Sequence, residues 1–226
     1  MKQGKRNHLA DLSAKWLVFM IGLLVMSFGI VLMIKADVGS APWDVFHIGL
    51  YKQFGLSIGT WSIIAGFFIL LIASLLSKAW PKLGAFLNML LVGIFIDLIM
   101  LLPFLKTPNS LLEQYLMLVI GILVIGYGIG LYISARCGAG PRDSLMLVLT
   151  QRTGWKVQYI RGAIEVVVLT LGFLLDGPVF VGTIVFCITI GPIVSFTLPQ
   201  CEKLVDKILA PRYIDTPLSN EVGVGD

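Results

Sequence analysis

Six long apolar runs, separated by short segments rich in polar residues, glycine and proline, dominate the hydrophobic pattern of this chain. They lie near Trp16–Ile34, Ile58–Leu76, Leu83–Leu102, Leu112–Ser134, Val157–Leu175 and Val179–Leu198. Each run has about twenty residues, which is the length that an α-helix needs to cross a bilayer. The pattern predicts an all-α polytopic membrane protein with six transmembrane helices.

Two shorter segments, Gly39–Gly55 and Gly138–Gly154, share a second pattern: a glycine, then Pro-x-Asp, then an apolar run of about three turns, then a closing glycine. Proline suits the first helical position, an aspartate in the first turn is favoured by the helix dipole, and glycine commonly ends a helix. Each segment predicts a helix of about twelve residues and about 18 Å. That length is too short to cross a bilayer.

The two short segments belong to a longer internal repeat with an offset of 99 residues. The matching pairs are Gly22/Gly121, Gly29/Gly128, Ala36/Ala135, Gly39/Gly138, Pro42/Pro141, Asp44/Asp143 and Gly55/Gly154. Apolar matches would mean little in such a chain, but glycine, proline and aspartate in register over about 35 residues indicate a duplication. We therefore predict a cytoplasmic N-terminus (1–15), a first repeat (16–104), a connector (105–111), a second repeat (112–200) and a cytoplasmic tail (201–226), whose polar end from 211 is expected to be disordered.

Composition agrees with a membrane protein, since 57% of the residues are hydrophobic and 13% are charged, with a mean hydropathy of +0.92. Soluble domains carry about 25% charged residues. A net charge of +4 and a pI near 9.0 might suggest nucleic acid, but the basic residues follow the membrane topology instead. With the N-terminus in the cytoplasm, the inner side holds 14 of the 17 basic residues and the outer side only Lys35, Lys52 and Lys106. Both termini are then cytoplasmic, and two halves of three spans each must be inverted relative to one another.

The motifs MIKADVGSAPWDVFHIGL, GLSIGTWSII, GIFIDL, ISARCGAGPRDSLMLVL and IRGAIEVVVL resemble the YczE-like/YitT-type family of bacterial integral membrane proteins. The resemblance extends from about Phe28 to Leu198. It implies a protein of the bacterial inner membrane but no particular activity. The function must therefore be inferred from the individual residues.

The starts of the two short helices are the candidate solute site, formed by Gly39, Pro42, Asp44, Gly138, Pro141, Arg142 and Asp143. If both helices are re-entrant, their free N–H groups meet near the membrane midplane, as in transporters with broken helices. Alternatively, both lie flat at the membrane surface, which would suit His47 as an interfacial side chain. Asp44 and Asp143 either stabilise the first turn or bind a solute, cation or proton. Arg142 either binds a carboxylate or phosphate or is one of the inner positive charges.

Three further ionisable residues fall inside the apolar runs: Asp97, Arg161 and Glu165. Charge at membrane depth is costly and often functional. Arg161 and Glu165 are four residues apart and can pair on one helix face. Glu165 is a candidate for proton or cation coupling or part of an ion pair that fixes packing, whereas packing is the favoured role for Asp97. Asn88 is interpreted as an interhelical hydrogen-bonding residue.

No catalytic or metal-ligand pattern emerges from the sequence. The three cysteines have no metal-ligand spacing, and no nucleotide-binding loop or catalytic triad is present, so we expect no cofactor, no metal and no enzymatic activity. The expected function is a small secondary transporter or channel-like permease for a small organic or anionic solute. The alternative is a membrane scaffold that supports a cytoplasmic enzyme system through Arg136, Arg152 and Lys156. Expected partners are the lipid bilayer and a small solute, with no nucleic acid, and a homo-oligomer or membrane-complex partner is compatible with the chain.

Overall fold

The computed structural model describes residues 2–209, and the side chains of residues 12–208. Within that range the chain forms eight α-helices and no β-strand. In chain order they are α1 (Lys2–Ala36), α2 (Pro42–Phe54), α3 (Ile58–Ser77), α4 (Leu83–Met100), α5 (Leu111–Ser134), α6 (Pro141–Thr153), α7 (Val157–Leu174) and α8 (Val181–Leu209). Six of them, all except α2 and α6, are long and apolar enough to cross a membrane, which confirms the predicted all-α architecture with six candidate spans.

The two short helices have the predicted ends. α2 and α6 each have 13 residues with proline in the first turn. Each is closed by a glycine with positive φ, at 73° for Gly55 and 72° for Gly154. The amide of each glycine donates a hydrogen bond to a carbonyl four residues back, on Tyr51 and Thr150 respectively, at 2.9 Å. The local sequence therefore sets both helix lengths.

α8 is longer than the sequence predicts. It continues to Leu209, through the expected end of the span at Leu198 and through the boundary drawn at residue 200. Its last turns remain helical because Cys201 and Val205 are buried, with Cys201 lying against Gly130 of α5. The segment expected to be disordered, 211–226, lies outside the described residues.

The centre of the bundle is the contact between α1 and α5, which occupy matching places in the two halves of the sequence. Glycines permit their backbones to approach closely. A Cβ atom on Gly22 would lie 2.5 Å from the backbone nitrogen of Tyr132, and one on Gly29 would lie 2.7 Å from that of Ile125. The repeated glycines thus explain why these two helices form the core.

Each short helix packs mainly against a long helix of the other half of the chain. α2 contacts α7, and α6 contacts α3. The α2–α7 contact is close, because Gly49 faces Leu175 and Gly172 faces Val45 and Phe46. α2 has seven buried residues, whereas in α6 only Pro141 and Val148 are buried. This arrangement brings the starts of α2 and α6 towards one another.

Candidate functional site

A cavity of about 140 Å³ lies between the starts of α2 and α6. Its wall includes Ala41–Asp44 from one helix start and Gly140–Asp143 from the other. The other polar lining residues are His47, Ser62, Asn88, Tyr132, Arg161 and Glu165. Two segments that are 99 residues apart in sequence therefore contribute equivalent positions to one cavity.

Asp44 is the most buried acidic side chain of the cavity, with 1% of its surface exposed. Neither of its carboxyl oxygens has a hydrogen-bond partner in the described part of the chain. α2 is not one of the six candidate spans, and burial within the protein raises the pKa of Asp44 to about 6, an effect that the nearby Arg142 partly opposes. Asp44 is thus a carboxyl group that can change its protonation state near neutral pH.

His47 lies one turn after Asp44 and is also 1% exposed. Its Nδ1 is 4.0 Å from Oδ1 of Asp44 and has no hydrogen-bond partner among the described residues. Burial, followed by the charge of Arg142, holds the pKa of His47 well below its usual value, so the imidazole is neutral. The structure buries His47 and includes it in the cavity lining, while its expected position at the membrane interface stays a prediction.

Arg142 lines the cavity from the start of α6, and its guanidinium carbon lies 4.8 Å from the ring centroid of Trp43. Trp43 is its counterpart in the repeat, so the two positions that differ between the halves stack on one another. Among the described residues, no carboxylate oxygen lies within 4.0 Å of the Arg142 guanidinium. Burial lowers the pKa of Arg142, but arginine starts from so high a value that it keeps its charge. The cavity therefore contains a guanidinium with no direct ionic partner in this part of the chain.

Asp143 is held differently from its repeat counterpart Asp44. The hydroxyl of Tyr132, on α5, donates a 2.6 Å hydrogen bond to Oδ2 of Asp143. Two aspartates at equivalent sequence positions therefore have different environments, since one accepts a hydrogen bond and the other has none. The repeat has become chemically asymmetric at its centre.

Arg161 and Glu165 form the ion pair that their i, i+4 spacing predicts, with Nε 3.1 Å from Oε1. Both line the cavity from α7. The side chain of Arg161 is 44% exposed and that of Glu165 is 23% exposed. The pair forms one wall of the cavity, with its charges already matched.

Asp97 and the loop glycines Gly39 and Gly138 lie outside the cavity lining. The carboxylate of Asp97 accepts hydrogen bonds from the hydroxyl of Ser57 and, at 2.9 Å, from the backbone amide of Gly59. Both donors are at the start of α3, which supports the packing role for Asp97. Gly39 and Gly138 adopt positive φ angles of 118° and 131°, so they shape the loops that precede the short helices.

Asn88 and Tyr132 are cavity residues that the sequence did not identify as part of the site. The side-chain nitrogen of Asn88 has no hydrogen-bond partner among the described residues and belongs to a side chain only 6% exposed. A Cβ atom on Gly140 would lie 2.9 Å from the side-chain oxygen of Asn88, which explains the glycine at the start of α6. The polar character of Asn88 within an apolar run was a signal, whereas nothing in the sequence marked Tyr132.

Comparisons with known proteins agree on the class of protein. Residues 13–199 match the model of a family described as a family of unknown function, DUF6198. The uncharacterized membrane protein YczE of Bacillus subtilis is 43% identical over 204 residues, which cover 89% of this chain and 94% of YczE. An uncharacterized protein of Haemophilus influenzae is 33% identical over 187 residues, covering 83% of this chain and 84% of its own length. The uncharacterized protein YyaS of Bacillus subtilis is 27% identical over 190 residues, covering 84% of this chain and 94% of YyaS.

No solved structure matches the chain. The six apolar helices and the YczE relative together identify a multi-pass membrane protein. The expected resemblance to YczE is confirmed, whereas the YitT-type resemblance stays a prediction. The chain belongs to the family of unknown function DUF6198 and is similar to the membrane protein YczE over most of its length.

Proposed function

We propose that this protein is a small secondary permease of the bacterial inner membrane that moves a small organic anion through the cavity between α2 and α6. The observation that carries the proposal is Arg142, a buried cation at the cavity wall with no carboxylate within 4.0 Å in the described part of the chain. A charge that is removed from water and left without a direct partner is costly unless a ligand completes it. A solute anion is the ligand that would do so.

The two helix starts also favour an anionic solute. The N-cap residues Ala41 and Gly140 make no side-chain capping hydrogen bond, so the first-turn amides of α2 and α6 keep their donor capacity. Helix N-termini carry a partial positive charge and bind anions. The unpartnered amide nitrogen of Asn88 adds another donor to the same cavity.

The volume limits the solute to a small molecule. An engineered cavity of about 150 Å³ in another protein holds one benzene molecule, with six non-hydrogen atoms. The cavity of about 140 Å³ would accept a solute of similar size. Short organic acids meet this limit, and nucleotides or peptides do not.

The proposed mechanism uses two inverted three-span repeats with re-entrant short helices, whose starts meet near the membrane midplane. The packing between the two halves of the chain supports this mechanism, since α2 packs on α7 and α6 packs on α3. The distribution of basic residues supports a cytoplasmic position for the N-terminus, the connection before α7 and the end of α8. Solute binding, rather than bond making or breaking, is the proposed chemistry of the cavity.

Access to the cavity is proposed to come from the cytoplasmic side in this conformation. The outer end of α2 is fastened to the end of α7, where the Lys52 ammonium donates a 2.8 Å hydrogen bond to the backbone carbonyl of Asp176. α6 buries fewer residues than α2 and is the looser of the two short helices. In a second conformation, α6 would be the tightly packed short helix and α2 the looser one. Exchange between the two conformations would expose the same site to each side of the membrane in turn.

The proposal is tested by thermal unfolding of the purified protein in detergent against a library of small anions. A ligand at one hundred times its dissociation constant adds about 2.7 kcal/mol to the stability of the native state. An anion of the cavity should stabilise the parent protein and Arg152→Gln, a matched control at the exposed end of α6, but not Arg142→Gln.

If no anion stabilises the parent protein, or if Arg142→Gln responds as the parent does, the solute site is wrong. The scaffold alternative would then be examined through the inner basic residues Arg136, Arg152 and Lys156. Their substitution should impair a scaffold while leaving a permease able to bind its solute.

A further inference from the structure

The number and the pairing of the charged side chains in the cavity narrow the class of solute. Among the described lining residues are three carboxyl groups, Asp44, Asp143 and Glu165, and two guanidinium groups, Arg142 and Arg161. Glu165 is paired with Arg161, and Asp143 accepts the hydrogen bond from Tyr132. That hydrogen bond leaves the charge of Asp143 in place, so Asp44, Asp143 and Arg142 remain. Both carboxyl groups act on Arg142 electrostatically without direct contact.

A solute carboxylate on Arg142 would compete with Asp44 for the same positive charge. When two carboxylates share one site, the pKa of one of them rises strongly. Asp44 is the carboxyl group that responds, because both of its oxygens are buried and have no hydrogen-bond donor in the described part of the chain. Burial raises its pKa to about 6, which is already close to neutral pH.

We propose that the cavity binds a small monocarboxylate together with one proton, the carboxylate on Arg142 and the proton on Asp44. The inference rests on the proposed permease function and assigns its substrate class and its coupling ion. The proton comes from water and forms an O–H bond with one oxygen of Asp44. The arriving negative charge is balanced by the arriving proton, so the empty and loaded cavities carry the same net charge.

The lining of the cavity favours an organic carboxylate over phosphate. Its non-polar wall is formed largely by Met26, Ile30, Val92, Ile125, Phe186 and Ile190. Such a wall suits a short alkyl group, which an organic carboxylate carries and phosphate lacks. Among the lining guanidinium groups of the described residues, only Arg142 has no carboxylate oxygen within 4.0 Å, so one solute carboxylate can contact it directly.

The other charged and titratable groups around Asp44 do not replace it as the proton acceptor. α3, which packs on α2, has no titratable side chain along Ile58–Ser77. α7 contributes the Arg161–Glu165 ion pair, α6 contributes Arg142 and Asp143, and α5 contributes Tyr132. His47 on α2 itself is held neutral by burial, and Lys52 and Asp176 interact at the distant end of that helix. Asp44 is thus the acceptor that best fits the geometry.

The coupling between carboxylate binding and protonation of Asp44 determines how the affinity for the solute should depend on pH. Burial raises the pKa of Asp44 to about 6, and Arg142 partly opposes this rise. A bound carboxylate would offset the effect of Arg142, so the pKa of Asp44 should be higher in the complex. Between these two pKa values, binding takes up as much as one proton. The affinity should therefore fall as pH rises above about 6, by up to tenfold per pH unit.

The test is isothermal titration calorimetry of the full-length protein in detergent with formate, acetate, lactate and pyruvate, and with inorganic phosphate as a comparison. Titrations at pH 7 in two buffers of different ionisation enthalpy give the number of protons taken up. The parent protein should bind at least one monocarboxylate with uptake approaching one proton. Asp44→Asn should bind the same acid with no uptake and with an affinity that is constant from pH 6 to 8.

Two further variants keep the result interpretable. Asp44→Glu should restore proton uptake, and Asp176→Asn, an exposed control at the end of α7, should behave as the parent protein does. Monocarboxylate binding without proton uptake by the parent would overturn the coupling and leave the permease standing. Phosphate binding without monocarboxylate binding would overturn the substrate class alone.

The remaining outcomes are also decisive. If Glu165→Gln removes the proton uptake and Asp44→Asn does not, the assignment of the proton to Asp44 is wrong. If none of the five anions binds to a parent protein that is folded and monodisperse, the substrate class is overturned, and the library screen against Arg142→Gln separately decides whether a solute site exists.

Discussion

Asp44 and Asp143 occupy matching positions of the sequence pattern, 99 residues apart, but have different chemical environments. Asp143 accepts a short hydrogen bond from Tyr132, and Asp44 has no hydrogen-bond donor within the described residues. Similarly, Trp43 and Arg142 occupy matching positions and stack on one another. Because a twofold-symmetric site would treat both ends of a solute alike, these differences suit the recognition of an asymmetric molecule.

Replacing Asp44 should change the pH dependence of stability. A carboxyl group whose pKa rises from 3.8 to about 6 on folding costs stability when it is ionised, and the cost is complete above about pH 6 and absent below about pH 4. Asp44→Asn should therefore be more stable than the parent at pH 8, by about 3 kcal/mol at most, since each pKa unit corresponds to about 1.4 kcal/mol. The advantage should shrink as pH falls from 6 to 4.

Thermal unfolding in detergent at pH 8 and pH 4.5 would measure this difference. Asp176→Asn is the matched control, because Asp176 is exposed and the same change of charge should leave the profile unaltered. A destabilised Asp44→Asn at pH 8 would show that the ionised carboxylate is held by favourable contacts and would contradict the account of this residue.

At the scale of the helices, glycine determines which elements can approach. α1 and α5 meet at Gly22 and Gly29, where even a methyl group would overlap the opposing backbone. On α7, by contrast, a Cβ atom on Gly162 would meet no atom within 4 Å in the described structure. Replacement of Gly29 or of Gly162 by alanine should therefore have opposite effects on stability.

Gly29→Ala should destabilise the protein by about 1–3 kcal/mol, the usual cost of overpacking a close contact. The matched variant Gly162→Ala should be neutral or more stable by about 1 kcal/mol, because alanine is the better helix former. Unfolding in detergent, followed by circular dichroism, would compare the two. Equal destabilisation would show that the α1–α5 contact is looser than the structure has it.

Local signals made the short helices predictable. Pro42 and Pro141 set their starts and Gly55 and Gly154 their ends, and these effects depend only on neighbouring residues. The end of α8 was not predictable in this way, because its last turns remain helical through the burial of Cys201 and Val205 against other parts of the fold. Burial of His47 and the Tyr132–Asp143 hydrogen bond likewise depend on which helices meet, which local sequence does not specify.

At the scale of the whole molecule, the packing of the short helices explains why one cavity receives both helix starts. Each short helix packs against a long helix of the other half, so neither half alone could form the cavity. This exchange is also what alternating access would require, because movement of one short helix changes the exposure of a site built partly by the other. The sequence predicted the two starts and their aspartates but not the surrounding Asn88 and Tyr132.

Counterflow into proteoliposomes tests whether a solute crosses the membrane through the cavity between α2 and α6. Vesicles containing the purified protein would be loaded with unlabelled pyruvate or lactate and diluted into the radiolabelled acid. We expect transient accumulation of label with the parent protein and with Arg152→Gln, faster at pH 6 than at pH 8, and none above protein-free vesicles with Arg142→Gln. Equal accumulation with Arg142→Gln, or none with the parent for either acid, would contradict monocarboxylate permeation through this site.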